Sequence, residues 1–229
     1  MRKKCAAITD VEKVELEPAR KRAASRRPDD QRPDARVLLG AYSMGIFPMA
    51  DRGARRIDWY RPDPRGILPL DGLRVPRSLR RVVDSGRFEI RFDCNPMEVL
   101  RACAGTRGPD NPGWMSERLA AAYAELSALG FLHSVESWSD GRLVGGLYGV
   151  AIGGAFFGES MFVRPELGGR DASKVALVHL VERLRTRGFA LLDTQVVTPH
   201  MGRLGAVEIG ARDYDALLAK AIALRASWE

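Results

Sequence analysis

The chain has 229 residues, 45% of them hydrophobic and 28% charged, which excludes a wholly disordered chain, a fibre and a miniprotein that depends on disulfides. Its 36 Lys plus Arg against 29 Asp plus Glu leave a formal charge of +7, a bias towards anionic partners. Residues 1–36 hold 11 basic and 7 acidic side chains, so more than half of that excess sits in the first sixth of the sequence and the body is nearly neutral.

This lead segment is poor in large apolar residues and carries Pro18, Pro28 and Pro33, so it cannot offset its ordering entropy by burial and is expected to be a flexible basic arm. No apolar run follows its first basic residues, which argues against a secretory signal. The stretch 37–91, with frequent Pro and Gly and with Trp59, reads as a small N-terminal domain. Within it, Pro76 can open a helix that sets Arg77 and Arg81 one turn apart beside Arg80, a compact cationic patch whose plainest reading is a solvated face.

From residue 92 to 229 the pattern alternates between helix and strand. Asn95, Pro96 and Glu98 open a helix to about Ala104. A second starts near Ser116, with Leu119, Tyr123, Leu126 and Leu129 on one stripe and Gly130 as its stop. Runs over Leu132–Trp138, Arg142–Ile152 and Ala155–Val163 predict a three-stranded meander with a turn at Asp140-Gly141. The uncharged window Leu143–Gly158 has six glycines in 16 residues, too short and too broken to cross a bilayer. A helix over Ala172–Arg187, a buried strand over Phe189–Val196 and a helix over Tyr214–Trp228 complete an α+β domain with a mixed β-sheet. Its element order is compatible with an acetyltransferase-like architecture.

Three polar residues stand out in apolar strands. Asp193 and Gln195 are two apart and are expected to project from one face of the sheet, and a buried carboxylate needs donors or a cavity. Glu159 lies in Phe156-Phe157-Gly158-Glu159-Ser160-Met161-Phe162, on the face of Phe157 and Met161. His133, His179 and His200 are dispersed, and Cys5, Cys94 and Cys103 form no CxxC pair, so neither a metal site nor a disulfide framework is expected.

The segments AYSMGIFPM (41–49), WYRPDPRGILPL (59–70), LVGGLYGVAIGGAFFGESMF (143–162), ASK (172–174) and LLDTQVVTPHMGRLGAVEI (191–209), in this order, resemble leucyl/phenylalanyl-tRNA–protein transferases over about residues 37–220. The resemblance implies a small N-terminal domain joined to a GNAT-like catalytic domain. It implies transfer of Leu or Phe, with Met tolerated, from aminoacyl-tRNA to proteins with an N-terminal Arg or Lys, marking them for degradation. A cytoplasmic monomer without metal or other cofactor is the expected form. By the same resemblance Asp193 orients Gln195, Gln195 hydrogen-bonds the attacking amine, and Glu159 helps to place the acceptor. Leu147, Phe156, Leu180, Leu184 and Leu192 are expected to line the aminoacyl pocket with Thr198 nearby, and Arg77, Arg80 and Arg81 to meet the tRNA acceptor stem.

The chain departs from the family pattern at Met49, where relatives have a tryptophan near the terminal adenosine, and Trp114 is a candidate to take over that stacking. Leu180 and Leu184 stand where some members have phenylalanines. Two rival readings are an acyl-CoA-dependent N-acyltransferase, resting on Gly168 and Gly169 before a helix start, and a non-catalytic RNA-binding module.

Overall fold

A computed structural model describes residues 33–50, 57–105 and 115–229, so most of the expected basic arm, and Trp114, lie outside the described residues. The last residues of that arm are structured. Asp34 accepts a hydrogen bond from the Val37 amide at 2.8 Å and caps α1 (Ala35–Ser43), which buries Leu38, Leu39 and Tyr42. β1 (Phe47–Ala50) and β2 (Ile57–Tyr60) form a two-stranded antiparallel ribbon.

The main sheet has seven strands. β3 (Arg65–Ile67) and β4 (Glu89–Phe92) come from the stretch expected to form the N-terminal domain. β5 (Leu132–Ser139), β6 (Arg142–Ile152) and β7 (Ala155–Val163) are the meander, within one residue of the expected bounds, and β8 (Leu191–Gln195) and β9 (Val207–Ile209) follow. The spatial order is β4-β5-β6-β7-β8-β3-β9, with every pairing antiparallel except β7 with β8. The sheet thus takes strands from both sides of residue 91, with β3 an inner strand between β8 and β9. A three-residue strand carries too little periodicity to be read from sequence.

Helices cover both faces. On one side α1, α3 (Pro96–Ala104), α4 (Glu117–Ala128) and α7 (Ala211–Ile222) pack through Val99, Leu119, Tyr123, Leu126 and Tyr214. On the other, α2 (Arg77–Asp84) and α5 (Ala172–Thr186) pack through Leu79, Val175, Leu180, Val181 and Leu184. The closing helix ends at Ile222 instead of continuing to Trp228. Beyond it Trp228 folds back, stacking on His133 at 4.4 Å and on Phe156 at 5.5 Å between ring centroids.

One feature of the sheet creates a site. β7 and β8 pair only at Ala155–Leu191, Phe156–Leu192 and Phe157–Asp193, although β7 runs on to Val163. Just past the last pair, β7 bulges. Gly158 faces Gly149 and Ser160 faces Tyr148, so Glu159 is the extra residue. The bulge sits against Gly149, where an added Cβ would lie 2.3 Å from the Phe157 carbonyl oxygen. Among the described residues no helix is long and apolar enough to cross a membrane, and no group of three His, Cys, Asp or Glu could hold a metal.

Candidate active site

Where β7 and β8 part, a cavity of about 810 Å³ opens. Its apolar wall is Leu147, Met161, Leu177, Leu180 and Leu192; its polar edge includes Glu159, Ser173, Lys174, Thr194, Gln195, Thr198 and His200. Leu177 and Leu180 are one turn apart on α5 and face the sheet. Thr198 caps α6 (Pro199–Arg203) by accepting from the Met201 amide at 3.2 Å, which brings Met201 and His200 to the rim.

Gln195 lies at the end of β8 with φ +64°, in the left-handed region, a conformation that costs a non-glycine residue about 1–2 kcal/mol. Its Nε2 donates to Glu159 Oε1 at 2.8 Å, which leaves its own Oε1 to accept from a substrate. Glu159 Oε2 accepts from the Tyr123 hydroxyl at 3.0 Å, and Tyr123 shares a 2.6 Å hydrogen bond with Tyr42. Burial pushes the Glu159 carboxyl from 4.5 up to about 7; the nearby phenols of Tyr42 and Tyr123 pull it down, and the charge of Asp193 adds to the rise. Both phenols are driven well above their ordinary values, mainly by burial, and stay protonated donors.

Asp193 is fully buried and does not line the cavity. The expected common face for Asp193 and Gln195 is not formed, because the backbone leaves the extended region at Gln195 and its side chain swings towards β7. Asp193 points instead to a fully enclosed guanidinium, with Arg65 Nη2 at 2.7 Å and Nε at 3.0 Å, and to the Tyr214 hydroxyl at 2.6 Å.

Of the expected aminoacyl pocket, Leu147, Leu180 and Leu192 line the cavity and Thr198 joins them. Phe156 and Leu184 do not. Phe156 is stacked under Trp228, and Leu184 lies one turn beyond Leu180, about 6 Å deeper along α5. Met49 lies half-exposed on β1 opposite Asp58, away from the cavity lining. Arg77, Arg80 and Arg81 are exposed on α2, which buries only Leu79. Sequence reasoning missed Met161, Leu177, Tyr42, Tyr123, Arg65 and Tyr214. Met161 shares the strand face read for Glu159, and Leu177 lies one turn before Leu180 on α5, whereas the tyrosines and Arg65 read as ordinary core or turn residues until the topology brings them together.

Gly168 and Gly169, the basis for an acyl-CoA site, have packing roles. Gly168 ends a 3-10 turn at φ +79°, and a Cβ on Gly169 would lie 2.2 Å from the Val144 carbonyl oxygen.

A family model described as leucyl/phenylalanyl-tRNA protein transferase matches residues 67–219, and the model of its N-terminal domain matches residues 32–63. The chain belongs to the leucyl/phenylalanyl-tRNA protein transferase family. Curated relatives named leucyl/phenylalanyl-tRNA–protein transferase include those of Paramagnetospirillum magneticum, 53% identical over 82% of this chain and 89% of the relative, and of Gluconobacter oxydans, 51% identical over 87% of each. That of Gloeobacter violaceus is 52% identical over 82% of this chain and 93% of its own. A solved ribosomal-protein-alanine N-acetyltransferase from Brucella melitensis overlaps 51% of this family member at 18% identity and a TM-score of 0.37, covering 86% of its own chain.

Proposed function

We propose that this transferase moves leucine or phenylalanine from charged tRNA to the α-amine of proteins that begin with Arg or Lys, working as a monomer in the cytoplasm where charged tRNA is found. The observation that carries the reading is the Gln195–Glu159 pair at the mouth of an apolar cavity. Leu147, Met161, Leu177, Leu180 and Leu192 suit an unbranched-at-β apolar side chain, and a hydrophobic pocket separates side chains that differ by one methylene by only about 1–3 kcal/mol, so methionine should also be accepted.

The donor is an activated ester, and an α-amine with a pKa near 7.7–8.0 is unprotonated to the extent of about a tenth or more at neutral pH. The site need not supply a strong base. Gln195 Oε1 accepts a hydrogen bond from the neutral amine and turns its lone pair towards the ester carbonyl; such alignment is worth up to roughly 7–11 kcal/mol. The C–N bond forms, the C–O bond to the ribose breaks, and the proton lost by the nitrogen is balanced by the one gained by the ribose oxygen. Glu159, when ionised, attracts the cationic acceptor and fixes the Gln195 amide. Arg77, Arg80 and Arg81 contact phosphates of the tRNA, which positions it without reading its sequence.

The test is a transfer assay with leucyl- and phenylalanyl-tRNA and two peptides that differ only in the first residue. Transfer to the Arg peptide, with a rate at least tenfold lower for the Asp peptide, is expected. Equal rates, or no transfer to either, would refute the reading.

A further inference from the structure

Both carboxylate oxygens of Asp193 are filled with hydrogen-bond donors. Its Oδ1 accepts from Arg65 Nε at 3.0 Å and from the Gln195 backbone N–H at 2.7 Å. Its Oδ2 accepts from Arg65 Nη2 at 2.7 Å, from Arg65 Nε at 3.2 Å and from the Tyr214 hydroxyl at 2.6 Å. The carboxylate is buried behind β8, and no atom of it reaches the cavity where a substrate could sit. Its hydrogen bond to Gln195 goes to the backbone N–H, while the side-chain amide of Gln195 donates to Glu159.

What it holds is the backbone. Gln195 is one of four non-glycine residues with positive φ among the described residues, and its N–H ends on Asp193 Oδ1. The same turn of chain passes close to β3, where a Cβ on Gly66 would lie 2.7 Å from the Val196 carbonyl carbon. Arg65 in turn is fixed from its other side: Nη1 donates to the Gly45 carbonyl at 2.8 Å, and the guanidinium lies over the rings of Tyr214 at 4.8 Å and Phe47 at 5.1 Å. One cation thus ties the α1–β1 corner, β3, β8 and α7 to a single carboxylate.

We propose that Arg65 and Tyr214 are positioning residues of the transfer reaction, which with Asp193 clamp the Gln195 backbone in its left-handed turn and so aim its side-chain carbonyl at the amine. Asp193 acts through the Gln195 backbone, from outside the cavity. This rests on the reading of Gln195 as the group that aligns the amine. Strain at one residue is retained because the surroundings over-determine it, and its return is a side chain that a regular strand would point elsewhere. The charged and titratable groups around the clamp are Arg65, Tyr214, Glu159 and, on the outer side of Tyr214, Arg61.

Tyr214→Phe removes one hydroxyl and little volume. In the transfer assay we expect it to lower kcat about tenfold, since misplacement of around 1 Å can cost 10²-fold, while KM for charged tRNA stays within twofold. Arg65→Lys, which keeps the charge but not the fork, should behave the same way. A wild-type kcat in Tyr214→Phe would overturn the proposal. So would a KM for charged tRNA that rises by the factor by which kcat falls, because that is lost binding and not lost alignment. Should the wild type prove inactive, the clamp is still tested by amide hydrogen exchange: the Gln195 N–H must be protected in the wild type and exchange at least tenfold faster in Tyr214→Phe. Equal exchange in the two proteins would contradict the clamp, whereas failure of wild-type transfer alone would contradict only the function.

Discussion

Glu159 shows how one inserted residue changes the chemistry of a strand. As the bulged residue of β7 it turns towards Gln195 and Tyr123, and burial lifts its carboxyl to about 7. A carboxyl whose folded value exceeds its unfolded one binds more protons in the native state between those values, so the stability it contributes is fully present below about 4.5 and is lost as pH rises through about 7. Glu159→Gln has no such titration. The variant is expected to melt higher than the wild type at pH 8, by about 2–4 °C for each kcal/mol recovered, and the gain should shrink to nothing near pH 5. Melting curves at the two pH values check this; a gain as large at pH 5 as at pH 8 would mean that the charge is not the cause. In the transfer assay the same variant should raise KM for an Arg peptide, because the anion that attracts it is gone.

At the scale of elements, α2 is the clearest separation of functions along one helix. Leu79 anchors it, Val82 and Val83 are half-buried, and Arg77, Arg80 and Arg81 face solvent together. Each phosphate contact adds about one unit to the salt slope of RNA binding. Arg77→Ala combined with Arg81→Ala is therefore expected to weaken tRNA affinity about tenfold or more in low salt and to flatten the slope by between one and two units, with melting unchanged. A double variant whose slope equals that of the wild type would return these arginines to an ordinary solvated face. The helix was legible from Pro76 and the charge pattern, as was α4 from its Ser116 cap and its Leu119–Tyr123–Leu126 stripe, since both signals are local. The short elements β3, α6 and β9 were not, because three to five residues hold fewer than two periods of either pattern. Phe156 and Leu184 fell inside the core for a related reason: periodicity gives the face of an element but not the depth to which a cavity reaches along it.

For the whole molecule, the site is a consequence of how the sheet is closed. Among the described residues β7 and β8 are the one parallel pair; they separate after Phe157 and Asp193, and the gap becomes a cavity with an apolar wall from α5 and a polar edge from the strand ends. Asp193, Gln195 and Glu159 could be singled out because polar residues are conspicuous in apolar strands. Arg65 could not: it belongs to a Pro-rich stretch that looks like a loop, and only the crossing of β3 between β8 and β9 puts its guanidinium on Asp193, 128 residues away. The same long-range pairing brings strands from both sides of residue 91 into one sheet.

The proposed transfer requires Gln195 to act in the chemical step rather than in holding either substrate. Single-turnover transfer and tRNA binding measured side by side on Gln195→Ala test this most directly. Loss of an aligned hydrogen-bonding group at a reacting centre costs on the order of 10²-fold, so the rate of peptide-bond formation should fall by about that factor while the affinity for charged tRNA stays within about threefold of the wild type. A variant that transfers at the wild-type rate, or one whose loss of rate is matched by loss of tRNA affinity, would contradict it.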